Sequence, residues 1–192
     1  MKGKQMRLIL GVLALGLAIA APAGAQQADT AAIAAQQAAQ ARFAWMDGTW
    51  RGTAVTVYGG AEHKVTHTER VGTMLGGTLR VIEGKAFGPD GNVGFNAFAV
   101  ISYDAAKKAY DFRSYAQGRG GNFTITPTAD GYVWEIPAGP MTIRYTATFK
   151  AGTWTEIGER VMPGQPAIKF FEMNLKRVGS TDWPNGGAMT PQ

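Results

Sequence analysis

Cysteine is absent from the 192 residues, which excludes disulfides, cysteine-ligated zinc or iron–sulfur clusters, and a cysteine-attached lipid. Histidine occurs only at positions 63 and 67, too few to build a metal centre without several acidic partners. Charged residues are sparse, 17% of the chain, and the basic ones do not cluster beyond residue 25. Neither nucleic acid nor an anionic membrane surface is therefore expected as a partner. No apolar run reaches the roughly 20 residues that a membrane-spanning helix needs. Stability has to come from an apolar core, which a chain of this length can bury.

What is present begins with the three parts of an export signal. Residues 1–7 carry Lys2, Lys4 and Arg7, residues 8–21 are apolar, and Ala23-Gly24-Ala25 fits a cleavage pattern. The expectation is export to the periplasm or beyond, with no stable membrane insertion once residues 1–25 are removed. Their loss lowers the formal net charge from +5 to +2, so the high pI belongs partly to the signal.

Residues 26–46 are rich in alanine and glutamine, free of Gly and Pro, with Asp29 or Thr30 placed to cap a helix start. The pattern predicts one helical lead-in, anchored by Ile33, Phe43, Trp45 and Met46, whose end plugs the domain behind it. At Asp47-Gly48-Thr49-Trp50 the character changes. From there to residue 178 turn residues recur roughly every ten positions, between segments rich in Thr, Val, Ile, Tyr and Phe. Connections this short join only antiparallel neighbours, and an open meander of ten strands would leave two unpaired edges. The expected fold is all-β: a single antiparallel up-and-down β-barrel of about ten strands over residues 47–178, with the helix in front and a flexible tail, residues 179–192, behind. Gly118-Arg119-Gly120-Gly121 is expected as a flexible hairpin loop.

Pairing residues across each turn sorts side chains by face, because directly opposite residues share one. If Tyr103 faces Tyr110, then Ala97, Ala99, Ile101, Phe112 and Ser114 lie together. Around Asp130-Gly131 the same counting joins Phe123, Ile125, Tyr132 and Trp134. Around Ala151-Gly152 it joins Tyr145, Ala147, Phe149 and Trp154 with Glu156, Gly158 and Arg160, and sets Arg144 against Glu159 on the opposite face. In the second strand His67 and Glu69 fall with Val65 and Val71. The apolar sets are expected inside.

Gly48-Thr49-Trp50 at the head of such a meander resembles the Gly-x-Trp signature of lipocalin-like (calycin) proteins. That resemblance implies that Trp50 closes one barrel end and that an Arg from the last strand, here Arg177, packs over it. Glu69-Arg70-Val71 with Leu75-Gly76-Gly77, Tyr103-Asp104 with Tyr110, and residues 172–177 resemble a bacterial lipocalin-like family, domain of unknown function 1579, whose biochemical role is unassigned. More distantly, the strand count resembles nitrobindins and fatty-acid-binding proteins. Nitrobindins hold haem through a His in the C-terminal part of the barrel, whereas both histidines here fall in the second strand. No cofactor and no metal are expected.

The candidate ligand-binding residues are His67, Glu69, Phe112, Trp134, Tyr145, Trp154, Glu156 and Arg160. Large aromatics beside small residues leave room for a small apolar or amphipathic ligand. Glu156 and Arg160, if interior, need each other or a polar head group. Two rivals stand beside this binding role. Outward Phe98, Val100 and Tyr115 would suit a solid barrel acting through its surface as an interaction or envelope protein. An enzyme would use His67 and Glu69 as acid and base, though the sequence pairs no nucleophile with them.

Overall fold

The structure is a computed structural model that describes residues 29–183. Residues 1–25, expected as an export signal, and tail residues 184–192 lie outside the described residues. Asp29 caps α1 (Thr30–Gln40), its Oδ1 accepting from the Ala32 N–H at 2.9 Å.

The single helix expected over residues 26–46 is corrected at its end. Ala41–Met46 tightens into a 3₁₀ helix. In that geometry residues three apart eclipse, so Phe43 and Met46 stand one above the other, both 0% exposed. Ile33 is not an anchor, because its turn reaches past the barrel and leaves it exposed. The buried helical residue is Gln40, whose Nε2 donates to the Ile101 carbonyl at 2.9 Å.

Ten strands follow: β1 (Gly48–Tyr58), β2 (Ala61–Met74), β3 (Leu79–Phe87), β4 (Val93–Asp104), β5 (Ala109–Ala116), β6 (Arg119–Pro127), β7 (Gly131–Ala138), β8 (Met141–Lys150), β9 (Thr153–Val161) and β10 (Ile168–Gly179). Each pairs antiparallel with the next, and β10 returns to β1, so the sheet is a closed barrel. At that seam the backbones approach so closely that a Cβ on Gly52 would lie 1.9 Å from the Asn174 carbonyl oxygen. The registers are those of the turn counting: Tyr103 faces Tyr110, Ile125 faces Trp134, and Phe149 faces Trp154.

The loop expected over residues 118–121 is instead a two-residue turn, Gln117-Gly118, with positive φ at both positions, and β6 starts at Arg119. Gly120 and Gly121 are strand residues. They lack a Cβ to make room for aromatic rings, since one would lie 2.9 Å from Tyr115 and 2.5 Å from Phe123 respectively.

The two barrel ends differ. The end that carries the turns after β2, β4, β6 and β8 is sealed by the helical segment. Gln37 Nε2 donates to the Gly76 carbonyl at 2.7 Å, and the Tyr110 hydroxyl to the Ala39 carbonyl at 2.9 Å. Beneath them Arg80 is buried, with Nε and Nη2 donating to the two Asp47 oxygens at 2.8 and 2.9 Å and Nη1 to the Gln40 carbonyl at 2.7 Å. Trp50 is buried here too, its Nε1 donating to the Met46 carbonyl at 2.7 Å and its ring lying 5.4 Å from the Arg177 guanidinium. The opposite end is a mouth with Tyr58, Val93 and Ile168 exposed on its rim.

β10 ends at Gly179, and the chain then turns along the outer wall. Asp182 pairs with Arg70, the Arg70 guanidinium lies 4.2 Å from the Trp183 ring, and Trp183 meets Phe98 edge-on at 6.3 Å. Gly72 permits this approach, because a Cβ there would lie 2.7 Å from Trp183 Cβ.

Candidate functional site

Inward side chains fall into two zones. Toward the sealed end Trp50, Ile101, Trp154 and Leu175 are no more than 1% exposed. Toward the mouth Phe123, Trp134 and Phe171 also point inward, packed against the same core with Tyr145 stacked on Trp134, yet each of the four keeps accessible surface. An evenly filled barrel would bury all eight, so the mouth half is packed less tightly than the sealed half.

Its wall is aromatic. Trp134 on β7 stacks on Tyr145 of β8 at 4.4 Å and 8° between planes, and Phe112 on β5 meets Trp134 at 5.0 Å. Gly158 on β9 lets two rings close over its backbone, for a Cβ there would lie 2.9 Å from both Tyr145 and Phe171.

Its floor is polar. His67 Nε2 lies 2.8 Å from Glu69 Oε1, both side chains nearly buried. Gly84, opposite Glu69 on β3, makes room for that carboxylate, since a Cβ would stand 2.8 Å from Oε1. Tyr132 on β7 donates its hydroxyl to Glu156 Oε2 at 2.6 Å. Two buried polar atoms on the floor are unpartnered, Glu69 Oε2 and Trp154 Nε1. Glu156 is deep in the barrel and keeps some accessible surface.

Burial pushes the Glu156 carboxyl up to about 7. The Tyr132 hydrogen bond opposes the rise, the Glu69 charge adds to it, and His67 and Trp134 oppose it more weakly. Burial raises both phenols as well, Tyr145 to about 12, with the Glu156 charge contributing in each case.

A pH-dependent stability follows. The folded carboxyl holds its proton up to about pH 7, whereas the unfolded one releases it near 4.5. Between those values the folded state binds more protons, so stability falls as pH rises and levels off above about 7. Glu156→Gln removes the titration. Thermal melts followed by circular dichroism should show wild type and variant alike near pH 5 and the variant more stable near pH 8.

Of the residues singled out in the sequence, Phe112, Trp134 and Tyr145 pack in a row, His67 bonds Glu69, Glu156 lies near His67, Glu69 and Trp134, and Trp154 packs against Tyr132. Arg160 does not pair with Glu156. It stands beyond Gly158 on the same face, nearer the mouth and opposite Ile143, with its guanidinium 4.6 Å from the Phe170 ring. Arg144 faces Glu159 in the ladder but bonds Glu135 on the other neighbouring strand at 2.8 Å. His63 stacks on Tyr58 at 3.6 Å, apart from His67. Trp50 and Arg177 belong to the sealed end. Among the described residues no three metal-binding side chains gather.

Sequence reasoning missed two features. Tyr132 was placed inside but not joined to Glu156, because no local count links them. Arg80 was passed over although it shares alternation with Ile82 and Gly84, which marks an inward charge. Outside the barrel, an open groove of about 570 Å³ is bordered by Phe98, Arg113 and Tyr115.

No family model matches the chain, and no curated protein matches it significantly. Among solved structures, the crystal structure of Rv2717c from M. tuberculosis is similar with a TM-score of 0.54, at 11% identity, over 72% of this chain and 96% of that one. At such identity the likeness is one of fold: both chains form this kind of barrel.

Proposed function

We propose that the protein is an exported, non-enzymatic barrel of the lipocalin-like kind, related to the bacterial family of domain of unknown function 1579. It takes a small apolar or amphipathic molecule into the mouth half of the barrel. The observation that carries this reading is the set of aromatic side chains that point inward and still keep accessible surface. Apolar walls left accessible inside a barrel, above a floor with unpartnered polar atoms, suit a molecule with an apolar body and a polar end. Among the described residues His67 hydrogen-bonds to Glu69 and to no hydroxyl nucleophile, which favours binding over catalysis.

Phe98 and Tyr115, half exposed beside the outer groove, favour a second reading in which the barrel acts through its surface. Trp183 from the same chain already occupies one edge of that patch, which leaves less of it for a partner.

Native mass spectrometry of protein from its own host tests the first reading. The expected spectrum carries a small-molecule adduct that denaturation removes. Protein with no adduct that also leaves the fluorescence of 8-anilinonaphthalene-1-sulfonate unchanged would overturn it.

A further inference from the structure

We infer that the molecule held in the mouth half of the barrel carries a protonated amine, which Glu156 and Glu69 grip from the floor while Trp134 and Tyr145 present their ring faces beside it. This rests on the proposed binding role and names the chemistry of the bound group.

The first observation is a charge imbalance. Glu69 has a titratable partner, His67, at 2.8 Å. Glu156 has a phenol, Tyr132, and no cation. The groups that face Glu156 are Tyr132 and Trp134 on β7, His67 and Glu69 on β2, and Tyr145 on β8, while Arg160 on β9 is held over Phe170 toward the mouth. An ionised carboxylate in such a place calls for a cation, and the one the chain offers nearby, His67, is already held by Glu69. Burial accordingly holds the carboxyl partly protonated near neutral pH.

The second observation is the pair of unpartnered buried atoms. Glu69 Oε2 is an acceptor without a donor. Trp154, 1% exposed, has an indole N–H directed toward the Tyr132 hydroxyl that does not close a hydrogen bond. An ammonium has three donors and no acceptor, which matches the ionised Glu156 and, once the Glu69 carboxylate turns its buried vacant oxygen toward the ligand, that oxygen as well. Once the ammonium holds Glu156, a small movement of Tyr132 lets its oxygen accept from Trp154 while its O–H still donates to Glu156. The wall adds a third match, since the faces of stacked aromatic rings attract cations. A carboxylate head would bring a further anion beside the two already there, and an alcohol would leave the charge unmet.

Amine binding favours ionised Glu156 and therefore releases a proton. The test compares dodecylamine, dodecanol and dodecanoate, each below its micellar concentration, by tryptophan fluorescence and by calorimetry at pH 7 in two buffers of different ionisation enthalpy. Dodecylamine should bind at least about tenfold more tightly than dodecanol, with proton release and dodecanoate weakest, tenfold being the effect of one pKa unit on a carboxyl. In Glu156→Gln that preference should be lost together with the proton release, while an unaltered circular dichroism spectrum shows the barrel intact. Dodecanol or dodecanoate binding as tightly as the amine would overturn the inference and leave the binding barrel standing. The same holds if water alone satisfies the floor, because amine and alcohol would then bind alike. A preference that survives in Glu156→Gln would also overturn it. If none of the three binds, the inference falls together with the binding role.

Discussion

Asp47→Ala should lower the unfolding free energy by about 3 kcal/mol, the low end of the range for removing one partner of a buried ion pair. The Arg80 guanidinium is 2% exposed and cannot shed its charge, so without Asp47 it faces only the Gln40 carbonyl and side-chain oxygens. The low end applies because Asp47 is 33% exposed, and water entering its place partly solvates the cation. Asp47→Asn keeps one acceptor and should lose less. Replacing both partners, Asp47→Asn with Arg80→Met, should recover most of the loss, since no buried charge is left behind. Urea unfolding followed by tryptophan fluorescence measures all three. If Asp47→Ala matched wild type, the lock between helical lead-in and barrel would contribute little to stability.

Trp50→Ala should cost about 3–5 kcal/mol, the usual range for emptying a buried aromatic site. Three contacts would go at once: the edge-on packing against Trp154 at 5.6 Å, that against Phe149 at 5.9 Å, and the hydrogen bond to Met46. The site resists collapse because β1 is clamped on both sides, by β2 and by the β10 seam. Trp50→Phe keeps a ring and loses the hydrogen bond, for a cost of about 1 kcal/mol. Arg177→Ala should cost no more than about 1 kcal/mol, because the guanidinium is exposed and its cation–π contact is long. The order Trp50→Ala, then Trp50→Phe, then Arg177→Ala in chemical unfolding checks the claim. An Arg177→Ala variant as unstable as Trp50→Ala would place the end's stability on the cation instead.

The two variants probe the same end from opposite sides of what sequence can show. Trp50 was visible because Gly-x-Trp stands at the head of a meander, and Arg177 because it ends the last strand. The strands themselves were visible through turn chemistry and alternation, both local properties of the chain. Gly120 and Gly121 show where local signals mislead. Glycines suggest a loop, but these two stand in a strand, where the rings of Tyr115 and Phe123 need the space.

Within a hairpin the alternation of side chains determined which residues share a wall, so His67 with Glu69, Trp134 with Tyr145, and Ala147 with Glu156 could be paired from the order of residues alone. Which walls face each other across the lumen depends on the tilt and stagger of the strands, a property of the closed sheet that no single hairpin contains. Only the folded barrel therefore decided that Glu156 on β9 meets Tyr132 on β7 with Glu69 of β2 near by, that Arg160 turns toward the mouth, and that Arg80 reaches Asp47. The same closure decided that one half of the interior is packed more tightly than the other, because the helical lead-in brings Phe43, Met46 and Trp45 to one end alone.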